Sequence, residues 1–206
     1  MSIKLQMEEP ITITSDTYTL EGLVQPSDGY HGIVITHPHP LYGGNMHNNV
    51  VETLSRTYAA AGYTTLRFNF RGTGGSEGHF DEGQGEQADV MAAMAWLHAE
   101  GMEAVDVAGY SFGAWVAALA VGAGLKPRRL IMVSPPVAFV DFGPVTSLPP
   151  LHLVISGEVD EVSPVNAIRR VLPGWQPRAQ LEIIAGANHF YSGRLEALAE
   201  RVTAHL

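Results

Sequence analysis

Apolar and polar residues alternate with period two over Ile11–Thr14 and again over Tyr18–Val24, with Ser15-Asp16 between them. That pattern predicts two half-buried strands joined by a tight turn, an antiparallel hairpin at the edge of a sheet. The pattern then changes. Gly32–Thr36 is an unbroken apolar run, as expected of a strand covered on both faces. From Asn48 to Ala61 apolar Val51, Leu54, Tyr58 and Ala61 recur at helical spacing, with Gly62 as a stop. Strands are predicted at 64–70, 105–108, 130–133, 151–155 and 181–184. Helices are predicted at 85–100, 111–123, 164–171 and 193–205, that of 111–123 being apolar on most sides and therefore central.

Strands alternating with helices imply an α/β fold with a doubly wound, mostly parallel sheet and an N-terminal antiparallel edge. Residues 1–206 read as a single domain, without internal repeats or low-complexity tracts. Sheets of this kind bind ligands beyond the carboxyl ends of their strands, so the chemistry is expected just after the strands.

Composition narrows the function. The chain carries 12 Lys+Arg against 21 Asp+Glu, a net charge of −9, which argues against nucleic acid or an anionic membrane surface as partner. Charged residues are only 16% and hydrophobic residues 46%, the reverse of a disordered chain. The absence of cysteine excludes a disulfide framework, a thiolate metal site and a cysteine nucleophile. Met1–Pro10 has no apolar core of a signal peptide, and no apolar run is long enough to span a bilayer. The expectation is a cytoplasmic protein, monomer or homodimer, needing no cofactor.

Gly109-Tyr110-Ser111-Phe112-Gly113 fits G-x-S-x-G and falls between a predicted strand and a predicted helix, the context of a nucleophile elbow. A sharp turn exposes the serine Oγ, small flanking glycines let strand and helix approach, and the helix N-terminus aims N–H groups at a developing oxyanion. The competing reading is Ser111 as a simple helix cap. In this chemistry an acid and then a histidine follow the serine. After the strand at 151–155 comes Ser156-Gly157-Glu158-Val159-Asp160, and after that at 181–184 comes Ala185-Gly186-Ala187-Asn188-His189. His189 would take the serine proton and Asp160 would orient the imidazole. Glu158 and Glu161 compete with Asp160. His205 is the only other histidine downstream.

His37-Pro38-His39-Pro40-Leu41-Tyr42-Gly43-Gly44 follows the strand at 32–36, where a second oxyanion N–H is needed. Prolines have no N–H, so the donor is His39, Leu41 or a later residue, with Leu41 favoured beside Phe112. His37, His39 and His47 also invite a metal reading, but no acidic residue lies between Asp28 and Glu52 to complete a ligand set, and none is expected. The Gly-rich segment Phe68–Gly78 fits neither a dinucleotide motif nor a P-loop. Arg71 reads as structural, paired with acids such as Asp81 or Glu82, with an anionic substrate group as the other option.

With these pieces assembled, the chain resembles the α/β-hydrolase superfamily over almost its whole length. More narrowly it resembles small, lidless bacterial serine hydrolases with a His-Pro-His-Pro loop. The likeness rests on His37–Met46, Leu66–Gly72, the Ser111 elbow, the Asp160 turn and Gly186–Phe190. It implies a Ser111–Asp160–His189 triad and esterase-type activity, with no particular natural substrate. Pro135–Pro150, where larger relatives insert a cap, is too short and proline-rich for one, so an open site and short acyl groups are expected. His39, Tyr42, Tyr110 and Phe139 are candidates to line the substrate site, and for Phe139, Val140 and Phe142 the alternatives are an acyl pocket or a dimer contact. The leading function is hydrolysis of small esters or thioesters. The alternatives are a peptidase or amidase with the same triad, and a non-catalytic binding protein.

Overall fold

The computed structural model describes residues 7–206; residues 1–6, on which part of the signal-peptide argument falls, lie outside it. One eight-stranded sheet organises the chain. Its strands are β1 (Glu9–Ser15), β2 (Tyr18–Gln25), β3 (His31–Thr36), β4 (Thr64–Phe68), β5 (Ala104–Tyr110), β6 (Leu130–Val133), β7 (Leu151–Gly157) and β8 (Gln180–Ile184), in the order β1-β2-β4-β3-β5-β6-β7-β8. β1 and β2 pair antiparallel, β2 joins β4 antiparallel, and every other pairing is parallel. The expected hairpin is thus the edge of a parallel sheet.

Side chains alternate across each central strand and feed two cores. Ile33 and Ile35 face α1 (Asn49–Ala60) and α5 (Leu195–Thr203), which contribute Leu54, Tyr58, Leu198 and Val202. Val34 and Leu66 face the other layer, α2 (Gly85–Ala99), α3 (Phe112–Gly122) and α4 (Val165–Trp175), with Val90, Leu97, Val116 and Ile168. Helices on both faces explain why the middle strands read as continuous apolar runs. Among the described residues, no helix is long and apolar enough to cross a membrane.

Among the boundaries that differ from the pattern-based expectation, three bear on the packing and the site. α4 continues through Pro173 to Trp175 instead of ending at 171. Trp175 is buried against the ring of Phe142 at 4.8 Å, and that burial outweighs one missing backbone bond in a last turn. β4 stops at Phe68; just beyond it the Asn69 N–H still donates to the Glu21 carbonyl of β2 at 3.0 Å, while its Oδ1 accepts the Met46 N–H at 2.7 Å and ties down the loop after β3. The closing helix starts at Leu195, after left-handed residues at Tyr191 and Gly193.

Arg71 is structural, but its partners are not Asp81 or Glu82. Its guanidinium grips the fully buried Asp89 (Nη2 to Oδ1 2.7 Å, Nε to Oδ2 3.1 Å) and reaches Asp16 at 3.2 Å, tying the Gly-rich loop to α2 and the edge hairpin. Asp81 instead accepts the Gly85 N–H at the start of α2. Sequence proximity favoured the wrong acids, because the sheet and α2 bring residues from both sides of Arg71 onto it.

His37 closes β3 and is fully buried. Its Nδ1–H donates to the Pro38 carbonyl at 2.7 Å, so Nε2 is unprotonated and accepts the Phe70 N–H at 3.0 Å. Burial pushes its pKa down to about 4. Since the unfolded histidine titrates near 6.5, the unfolded chain binds the extra proton first as pH falls. Stability from this group is therefore complete above about pH 6.5 and drains away toward pH 4, by about 3 kcal/mol. Urea melts at pH 7.5, 6 and 4.5 check this. His37→Gln should be less stable at pH 7.5 yet lose less on acidification, and contributions from other groups cancel in that difference. Equal acid losses in both proteins would remove His37 from the account.

Candidate active site

Ser111 occupies the single residue between β5 and α3, with φ 54° and ψ −120°. The packing around it explains both glycines of the motif. A Cβ on Gly109 would lie 2.5 Å from the Ala114 backbone, and one on Gly113 2.7 Å from the carbonyl oxygens of Thr36 and His37. β5, α3 and the end of β3 close on one another only without those side chains. The Ser111 side chain makes no capping bond to its helix, which sets aside the simple cap reading. Its Oγ lies 2.9 Å from His189 Nε2.

His189 stands after β8, and its Nδ1 is 3.1 and 3.0 Å from the two oxygens of Asp160. An ionised carboxylate only accepts, so Nδ1 carries the proton and Nε2 presents its lone pair to Ser111. Asp160 follows β7 and its side chain is wholly buried. Burial alone would raise its pKa. The hydrogen bond and charge of His189, the Ser134 hydroxyl and the Ser163 N–H outweigh that and hold it below the usual carboxylate value. Oδ1 also accepts N–H groups of Val162 and Ser163 at 2.9 and 2.8 Å. Glu158 is occupied elsewhere, accepting the Gly186 N–H at 2.9 Å, and Glu161 is exposed and stands outside this chain of hydrogen bonds.

Two supports were not read from the sequence. Ser134, fully buried at the end of β6 with φ 46°, bonds the Tyr191 hydroxyl at 2.8 Å beside Asp160. Tyr110, preceding the serine, donates its hydroxyl to the His189 carbonyl at 2.8 Å and fixes the loop carrying the imidazole. A polar residue directly after a buried strand was the only available signal for Ser134. Three of the non-glycine residues at positive φ, namely Ser111, Ser134 and Tyr191, meet here, as strain often does at functional sites.

The loop after β3 corrects one expectation. Leu41 lies in a short 3-10 helix, Pro40–Tyr42, and its N–H already donates to His39 Nδ1 at 3.2 Å. Leu41 also lies outside the cleft beside Ser111, so it does not fit the oxyanion role. The His39 N–H has no protein acceptor among the described residues, and His39 borders the cleft. Phe112 opens α3, where N–H groups lack an intrahelical acceptor.

That cleft has a volume of about 350 Å³. His39, Tyr42, Tyr110 and Phe139 all border it, together with Phe112, Val140 and Phe190, and among the described residues no acidic or basic side chain other than histidine does. The three histidines of the metal reading do not converge. Both ring nitrogens of His37 are engaged, and His47 Nδ1 faces the Arg67 guanidinium at 3.3 Å. Among the described residues, no cluster of three or more His, Asp or Glu is arranged to hold a metal ion.

Comparison with known proteins agrees with this fold. Residues 15–144 match the family model described as X-Pro dipeptidyl-peptidase (S15 family). An uncharacterized protein of Rickettsia prowazekii is 34% identical over 183 residues, covering 84% of this chain and 77% of its own. An α/β serine hydrolase homologue from Coxiella burnetii superposes with a TM-score of 0.89 at 34% identity, over 96% of this chain and 97% of that one. An α/β serine hydrolase without a lid from Xanthomonas campestris gives 0.89 at 32% identity, over 100% and 96%. The polypeptide between β6 and β7 forms no helix here. The chain therefore belongs to the X-Pro dipeptidyl-peptidase (S15) family within the α/β-hydrolase superfamily, and is a lidless hydrolase.

Proposed function

We propose that the protein hydrolyses esters or thioesters of small, uncharged acyl groups through an acyl-enzyme on Ser111. The observation that carries this reading is the unbroken hydrogen-bond chain from Ser111 Oγ through His189 to Asp160. In the first half-reaction Oγ attacks the acyl carbon as its proton passes to His189 Nε2. The carbonyl π electrons move onto oxygen, and the Phe112 and His39 N–H groups receive that oxyanion. The tetrahedral species collapses, the carbon–oxygen or carbon–sulfur bond breaks, and His189 returns the proton to the leaving alkoxide or thiolate. Water repeats the sequence on the acyl-serine, releasing the acid and restoring Ser111. Asp160 stays ionised throughout and stabilises the imidazolium.

The family name makes peptide cleavage the second reading. An enzyme that releases a dipeptide must recognise a free amino terminus, which calls for a carboxylate facing the cleft. None borders it, since Asp160 is taken by His189 and Glu158 by Gly186. The apolar lining suits an uncharged group, and 350 Å³ is near the lower end of the roughly 300–1,000 Å³ of ligand pockets.

A fluorophosphonate probe followed by intact mass tests the central claim. One adduct should form on the native chain and none on Ser111→Ala, whose ester turnover should drop on the order of 10⁴-fold or more with an unchanged melting temperature. An unlabelled native chain would leave the binding-protein reading standing.

The acid is tested by Asp160→Asn against Glu158→Gln and Glu161→Gln. Asp160→Asn should lower kcat by about 10³–10⁴, and the two glutamine variants by less than about threefold. A larger loss in either glutamine variant would displace Asp160.

Substrate class is read from rates on acetyl, butyryl and palmitoyl esters and on an aminoacyl-prolyl anilide. Acetyl and butyryl esters should be fastest, with ordinary saturation and no jump at the solubility limit, because no lid moves off the cleft. Preference for the anilide would favour the peptidase.

A further inference from the structure

His39 is only partly used by the mechanism above, which takes its backbone N–H. Its ring sits among three aromatic rings, with centroids 4.8 Å from Tyr42, 5.0 Å from Phe80 and 4.9 Å from Phe112. Those contacts fix the ring plane. The Leu41 N–H donates to Nδ1 at 3.2 Å, so Nδ1 holds a lone pair and not a proton. Burial keeps the imidazole pKa below its ordinary value, so the ring is neutral at pH 7. A neutral imidazole with an accepting Nδ1 has its single proton on Nε2. Nε2 has no protein partner among the described residues, while the residue borders the cleft that holds Ser111.

Tautomer and ring plane are therefore set, and the residue borders the cleft, as suits a donor whose acceptor is not among the described residues. The loop around it is equally constrained. The His39 carbonyl accepts N–H groups of Tyr42 and Gly44 at 3.1 and 3.0 Å, and a Cβ on Gly44 would lie 2.1 Å from the Pro38 carbonyl oxygen. Such a donor stands among mostly apolar neighbours, Phe112, Phe139, Val140 and Phe190, with Asn48, Tyr42 and Tyr110 as the other polar side chains of the lining beside Ser111 and His189. An all-carbon acyl chain would leave this N–H without a partner and desolvated, which costs binding.

We infer that His39 is a substrate-positioning residue whose Nε2–H donates a hydrogen bond to an oxygen carried by the acyl group, selecting ether- or keto-substituted acyl chains over plain alkyl ones. The inference rests on the serine-hydrolase reading and names its substrate more closely: an uncharged acyl group with one acceptor oxygen beyond the scissile carbonyl.

The test uses isosteric nitrophenyl ester pairs, methoxyacetate against butyrate and 3-methoxypropanoate against pentanoate. The readout is the ratio of kcat/KM within each pair, compared between proteins, so intrinsic reactivity of the oxygenated ester cancels. His39→Phe keeps the aromatic packing and loses both nitrogens. His39→Asn keeps an oxygen able to cap the 3-10 helix and loses the distal donor. In at least one pair, both variants should lower the ratio by roughly three- to tenfold, the worth of one hydrogen bond. A purely structural role predicts a different pattern, in which His39→Phe loses rate equally on both members of each pair and His39→Asn keeps the native ratios. That pattern, or unchanged ratios in both variants, overturns the inference. Fluorophosphonate labelling is run in parallel. Labelled protein with unchanged ratios rejects only the role of His39, whereas an unlabelled native chain rejects the hydrolase reading itself.

Discussion

Between Tyr110 and Phe112 the chain passes from strand to helix through one residue, and that residue is held at φ 54° and ψ −120°. A non-glycine residue there costs of order 1–3 kcal/mol and persists only where its surroundings leave no alternative. Here they leave none. β5 is paired on both sides, α3 is buried along most of its surface, and the Gly113 backbone lies against the end of β3 with no space even for a methyl group. Relaxing Ser111 would mean lifting α3 off the sheet and exposing Val116, Ala117 and Ala120. The strain is thus balanced by core packing. Its result is an Oγ turned away from its own helix and toward a histidine from a distant strand.

The same logic sets the electrostatics. Two histidines lie at ends of parallel strands, and their surroundings give them opposite tasks. His37 meets a carbonyl and a backbone N–H, is left neutral with both nitrogens occupied, and serves to join β3 to the loop after β4. His189 meets a carboxylate on one side and a hydroxyl on the other, an environment that fixes its tautomer and aims Nε2 at Ser111. That carboxylate is itself a buried charge, which would be expensive if unpaired. The Val162 and Ser163 N–H groups and the imidazole compensate it. Asp160 therefore stays ionised beside an apolar cleft, where its field on His189 is little screened by water.

Most of the frame was legible because it depends on local patterns. Period-two alternation marks β1 and β2, apolar runs mark β3 and β5, and helical spacing marks α1. The serine and histidine were legible because strand ends are where this architecture puts its chemistry, and Asp160 because a turn follows β7 directly. What escaped depended on three-dimensional partners. The true counterions of Arg71 are 18 and 55 positions away along the chain. Pro173 hid the end of α4, since the burial of Trp175 against Phe142 has no local signature. Leu41 looked like a donor because sequence cannot show that a neighbouring imidazole has already taken its N–H. Ser134 and Tyr191 carried no motif at all.

Family membership and specificity separate in this molecule. The sheet, the elbow and the order of functional residues are shared across a superfamily whose members act on very different bonds, so the choice of bond and acyl group must come from what borders the cleft. The protein as a whole is strongly acidic, yet its carboxylates are kept away from the cleft or committed to backbone and imidazole partners. A cationic substrate terminus would enter without a counterion and would have to lose water against phenylalanine and valine, a cost that an uncharged acyl group avoids. Exposed Tyr42, Phe139 and Phe190 extend the apolar lining to the rim. A lidless site leaves such surface in water whenever it is empty, so an apolar group bound there gains by covering it. On the proposed reading, discrimination therefore comes from two physical sources: desolvation, which rejects charge, and the imidazole donor of His39, which ranks the neutral groups that remain.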